Sequence, residues 1–128
     1  MRPIRTALMW GVLALGAAAT ATAHHSFTAA FDMTKPVTVK GTIALIRLEN
    51  PHSWFFIDVK DDSGSVQKWT VGGPSVTRMA NNGWDDHTLK PGDTITAMGY
   101  RFSDGQPILR LEKIVMASGK EMFLYGRR

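Results

Sequence analysis

Cysteine is absent from the 128 residues. Its absence excludes disulfides, a thiolate metal centre and a cysteine nucleophile. A strong charge of one sign is also missing. The formal net charge is +4, and Arg2 and Arg5 lie in a leader segment, so the rest of the chain carries about +2 with acids and bases interspersed. The high isoelectric point therefore lends no weight to polyanion binding, and nucleic acid is not an expected partner. No apolar run reaches the roughly 20 residues a membrane helix needs. No repeat or low-complexity tract follows the leader. Catalytic patterns are lacking as well. Gly72-Gly73-Pro74-Ser75 has neither the lysine nor the spacing of a phosphate loop, and no serine marks a strained nucleophile elbow. The expectation is a protein that is not an enzyme.

What is present starts with an export signal. Arg2 and Arg5 form a positive n-region, Ala7 to Ala19 an uncharged apolar stretch, and Ala21 and Ala23 an A-x-A pattern. Cleavage after Ala23 would leave His24 first. Ala19-Thr20-Ala21 fits the pattern too, and cleavage there would leave Thr22 first. The mature protein is then a soluble periplasmic chain of about 105 residues, one domain with room for a real core. An exported protein without disulfides suits that compartment.

Residues 24–36 read as an extended lead-in, with Phe27 and Phe31 four apart. From Val37 the period becomes two. Val37, Val39, Ile43 and Leu45 share one face, and Gly41 marks a bulge or bend. Glu49-Asn50-Pro51-His52 is a connection. Ser53–Lys60 is a second strand with aromatics on both faces, Asp61-Asp62-Ser63-Gly64 a hairpin turn, and Ser65–Val71 the return strand. Pro74 suits the first turn of a short helix over Ser75–Ala80, stopped by Gly83, with Trp84 packing back beneath it. Lys90-Pro91-Gly92-Asp93 is a type II turn. Thr94–Phe102 and Pro107–Met116 are the fourth and fifth strands. The alternation slips between Leu111 and Ile114, which points to a bulge. Met122 to Tyr125 form an apolar tail.

Three strands, a helix and two more strands is the order of the five-stranded Greek-key OB barrel. The expected fold class is all-β with one short helix, an OB-like barrel over residues 37–128 after a signal at 1–23. Val39, Ile43, Phe55, Ile57, Trp69, Ile95, Leu109 and Leu111 are its expected core.

His24-His25-Ser26-Phe27, Phe31-Asp32, Lys35-Pro36-Val37, Gly41-Thr42, Asn50-Pro51-His52-Ser53-Trp54, Gly83-Trp84 and Leu89-Lys90-Pro91-Gly92-Asp93 together resemble a family of small secreted bacterial proteins of unknown function. The resemblance implies secretion and an OB-like barrel. It implies no reaction.

Two functions compete. In the first, the mature N-terminus binds Cu(II) for carriage or buffering. The free amine and the His24 ring chelate the ion, and His25 or His52 adds a nitrogen. If the chain starts at Thr22, an amine, two amides and the third-position imidazole of His24 form a square-planar set. Both arrangements favour copper. In the second, the protein is a non-catalytic binding module for a glycan, a peptide or an envelope protein. Asn50 and Trp54 beside the first connection, facing the Ser103–Gln106 turn, would form its contact surface. Trp54, Phe56 and Tyr100 could stack on a ligand. His87, directly after Asp85-Asp86, reads as a solvated loop residue.

Overall fold

The structure, a computed structural model, describes residues 29–125. The chain divides into two units, Met1–Ala30 and Phe31–Arg128, and the fold below is that of the second. Its elements in order are β1 (Phe31–Arg47), β2 (Trp54–Lys60), β3 (Val66–Gly72), α1 (Val76–Asn81), β4 (Thr94–Phe102), β5 (Ile108–Met116) and β6 (Glu121–Phe123).

β1 organises the sheet. Val39 and Ile43 point inward and are buried. Midway sits Gly41, where an added Cβ would stand 2.5 Å from the Asp58 carbonyl oxygen of β2. Only glycine lets the two backbones approach so closely, and the long strand changes partners here. It pairs with β4 from Pro36 to Thr42 and with β2 from Thr42 to Arg47, both antiparallel. The strand begins at Phe31, six residues before the expected start at Val37. Phe31 pairs with Phe102, and their rings meet edge-on at 5.5 Å. Burial of that ring carries the strand back through what the sequence marks as lead-in. The register slips between Phe31 and Pro36, where the Asp32 carboxylate takes up the Thr34 amide.

A second correction concerns Leu45. Ile43 faces Ile57, but Leu45 faces Phe56, so Ala44 is an extra residue on β1. A bulge inverts the side-chain alternation beyond it. Leu45 therefore points outward, 44% exposed, and Ile46 packs against the core in its place.

β2 and β3 form a hairpin in full register from Trp54–Gly72 to Lys60–Val66. Asp61 and Gly64, with φ +85°, make its turn. α1 lies one residue later than expected. Ser75 caps it, accepting the Arg78 amide at 3.3 Å, and Met79 is its buried residue. Gly83, with φ +88°, ends it in the left-handed region, and the Trp84 amide returns to the Met79 carbonyl. Trp84 is buried beneath, its ring 5.9 Å from Phe55. The Lys90–Asp93 turn latches onto β1 through Gly92 N–H to Ile43 C=O and Ile43 N–H to Asp93 C=O.

β4 and β5 pair antiparallel with a slip that leaves Glu112 unopposed, between Leu111 and Lys113. This is the bulge the broken alternation predicts. β3 then pairs with β5 in parallel over Thr70–Gly72 and Ile108–Arg110. That short contact adds a β3–β5 pairing to the sheet order β3-β2-β1-β4-β5-β6. The fold is all-β with one short helix. The expected tail is in part a sixth strand. β6 takes up the edge of β5 from Lys113 to Val115, beyond the point where β3 leaves it, so the sheet has six strands. All eight expected core residues are buried, and Val71, Ala97, Ile114, Met122 and Leu124 join them.

Candidate functional site

The first connection is held firmly. The Ser53 amide donates to the Pro74 carbonyl at 2.9 Å, the Gly73 amide to Ser53 at 2.8 Å, and the Val76 amide to Glu49 at 3.1 Å. Ser53 is fully buried as a result. The loop is thus pinned to the entry of α1, with a cis bond at Asn50-Pro51. Asn50 is exposed at its tip and His52 half-buried. The His52 ring stands 6.3 Å from Trp54, edge-on, so these two expected site residues do meet. The Arg47 guanidinium covers Phe56 at 5.9 Å. The Ser103–Gln106 turn is bound beside β3, at Thr70, which lies opposite Phe56 of β2. Its neighbour Pro107 accepts the Thr70 amide at 3.0 Å, and Arg101 donates to Gln106 and Gly105 while lying 5.0 Å over the Trp69 ring.

His24, His25 and both expected cleavage points lie outside the described residues. Among the described residues no group of three His, Cys, Asp or Glu side chains could hold a metal ion. His87 belongs to a turn, its amide donating to the Asp85 carboxylate at 2.8 Å. That bond, with the Thr88 hydroxyl, holds the Asp85 pKa below the usual carboxylate range.

A more developed surface lies on the outer face of β1, β4, β5 and β6. Strand register lines up its side chains in rows. Pro36, Tyr100 and Arg110 are consecutive partners across β1, β4 and β5. The next row runs Thr38, Met98, Lys113 and Phe123. Between the rows is a groove of about 370 Å³, with Tyr100, Phe123 and Tyr125 as its rings and Glu112 and Lys113 as its charged groups. The Glu112 bulge bends β5 here. Gly99 beneath it has no room for a Cβ, which would stand 2.0 Å from the Arg110 carbonyl oxygen.

The electrostatics of the groove are balanced. Arg110 is ion-paired with Glu112, and Lys113 with Glu121 at 2.8 Å. Cations also lie over the rings. Arg110 stands 4.6 Å and Arg78 5.1 Å from the Tyr125 centroid, and Lys113 lies 5.5 Å from Phe123. Burial raises the Tyr125 pKa above the ordinary phenol value, against the pull of the two guanidinium groups. The helix secures this end of the chain, the Asn82 amide group donating to the Leu124 carbonyl at 3.2 Å. Arg110 Nε is buried with no hydrogen-bond partner among the described residues.

Tyr100 figures in the sequence reading as a stacking residue, but Glu112, Lys113, Phe123 and Tyr125 do not. The signal for the last two is the alternation itself. Met122 and Leu124 turn inward while Phe123 and Tyr125 do not, so a tail read as uniformly apolar has two faces, and is a strand as far as Phe123. Flat rings beside paired charges form a surface suited to stacking and hydrogen bonding.

No curated protein matches the chain. Residues 12–108 match the model of a family described as a family of unknown function (DUF6152), and the chain belongs to that family.

Proposed function

We propose that the protein is an exported, non-catalytic binding module whose contact surface is the groove on the outer face of β1, β4, β5 and β6. The observation that carries this reading is the convergence of three aromatic rings and two charged residues, from β4, β5, β6 and the segment just after it, around one concavity. Pockets of roughly 300–1,000 Å³ with a few placed polar groups are the usual form of ligand sites. Export to the periplasm rests on the leader sequence. Intact mass of the secreted protein tests it: the expected species begins at Thr22 or His24, and one retaining Met1 to Ala19 in the membrane fraction contradicts it. For binding, ligand-observed NMR with uncharged trisaccharides and an extended hexapeptide is the test. At least one probe should bind, and the double variant Tyr100→Ala/Phe123→Ala should lose it. Binding unchanged in that variant contradicts the assignment.

Copper is the second reading, favoured by the position of His24-His25 directly after the A-x-A pattern. A free α-amine has a pKa of ~7.7–8.0 and deprotonates readily to coordinate. Titration of Cu(II) into correctly cleaved protein and into protein with an added N-terminal methionine decides it. Tight binding in the first alone supports copper carriage, and equal binding in both refutes it.

A further inference from the structure

We propose that the groove takes a neutral saccharide, an inference that rests on the binding-module reading above and names its ligand. Charge is the first argument. Arg110 is paired with Glu112 and Lys113 with Glu121, so both charged residues that line the groove, Glu112 and Lys113, already have an ion-pair partner. An anionic or cationic ligand would have to compete with a partner already in place. A neutral polyhydroxylated ligand would not. An ammonium has three donors and a carboxylate about four acceptor sites, so Lys113 and Glu112 keep spare donors and acceptors after their ion pairs are made. Vicinal hydroxyls, each both donor and acceptor, match that combination.

The rings are the second argument. A pyranose has an apolar C–H face and a hydroxylated edge. Tyr100 and Tyr125 are half-buried in the groove wall with Phe123 beside them, while Glu112 and Lys113 supply the polar side. Arg78 and Arg110 already lie over Tyr125 and Lys113 over Phe123, so Tyr100 is the ring on which an amphipathic ligand would bury its apolar face, leaving its edge to Glu112 and Lys113. The volume of about 370 Å³ lies near the small end of ligand sites, suited to one or a few sugar rings. A peptide adding as a strand would need a long ladder, and β6, on the outer side, has three residues.

None of the groove's lining residues comes from β2 or β3, the strands that OB folds use for oligosaccharides. The test is calorimetry on the cleaved protein with cellotriose, maltotriose and N-acetylchitotriose, against tri-galacturonate and a chitosan trimer as the acidic and basic counterparts. At least one neutral trisaccharide should bind, with an affinity unchanged between about 50 mM and about 500 mM salt, since the ligand carries no charge to be screened. Tyr100→Ala should weaken it at least about tenfold, and Tyr100→Phe, which keeps the ring, by less than about threefold. Binding only of the charged trisaccharides, falling with salt, overturns the proposal. So does neutral binding that Tyr100→Ala leaves intact in a protein whose circular dichroism is unchanged. If no saccharide binds but the extended hexapeptide does, in a manner lost with Tyr100→Ala, the saccharide is refuted and the binding-module reading stands. If no probe binds the groove, both fall.

Discussion

At the scale of single residues, the glycine at position 99 is fixed by a contact and not by a turn. Its neighbour is backbone, the Arg110 carbonyl oxygen, which cannot swing aside as a side chain can. Gly99→Ala should therefore destabilise by on the order of 1–3 kcal/mol or more, the range for overpacking. A shift in the denaturant midpoint measures it. The sequence shows a glycine in a strand but not which strand crosses it, because that neighbour is 11 residues away along the chain. Other residues announce their role locally. Asp61 opens the β2–β3 turn, and its carboxylate accepts Ser63 Oγ, with the amides of Ser63 and Ser65. These bonds, the Ser63 hydroxyl foremost, lower its pKa, and similar bonds lower those of Asp32, Asp85 and Asp93. An unfolded aspartate titrates near ~3.9. With the folded values lower, the native state binds fewer protons, so this contribution is present above that pH and lost as pH falls through the folded values. The melting temperature should fall below about pH 4, and Asp61→Asn should make that fall shallower. An unchanged slope in the variant would refute the contribution of this turn.

At the scale of elements, periodicity locates strands and bulges decide which side chains they bury. The break between Leu111 and Ile114 is visible because hydrophobic residues fall out of step there. The bulge at Ala44 leaves no such mark. Ala44, Leu45 and Ile46 are all apolar, so either phase satisfies the pattern, and only the pairing with β2 settles it. Leu45→Lys should accordingly change stability by no more than about 0.5 kcal/mol, as surface substitutions do. Ile43→Ala, two residues away and fully buried, should cost about 2–5 kcal/mol. Comparable losses in the two variants would place Leu45 in the core and refute the bulge. The beginning of β1 was illegible for a related reason: Lys35-Pro36 reads as an interruption, and the partner that overrides it, Phe102, is remote in sequence.

At the scale of the whole molecule, strand order was legible because each turn carries its own chemistry, from Asp61–Gly64 to Lys90–Asp93. The sixth strand, Glu121–Phe123, was not, because it is only three residues long and its pairing with β5 depends on where β3 ends. With it went two of the groove's three rings, since Phe123 enters through that pairing and Tyr125 follows two residues later. The described chain therefore presents two surfaces: the pinned His52–Trp54 connection and the aromatic face of β1, β4, β5 and β6. The account assigns binding to the second. Amide-resolved NMR of the cleaved, isotope-labelled protein, titrated with an uncharged trisaccharide, separates them directly. The account predicts chemical-shift changes centred on Met98, Tyr100, Lys113 and Phe123, with Asn50, His52 and Trp54 unmoved. Changes centred on Asn50, His52 and Trp54, or no change at any residue, would contradict it.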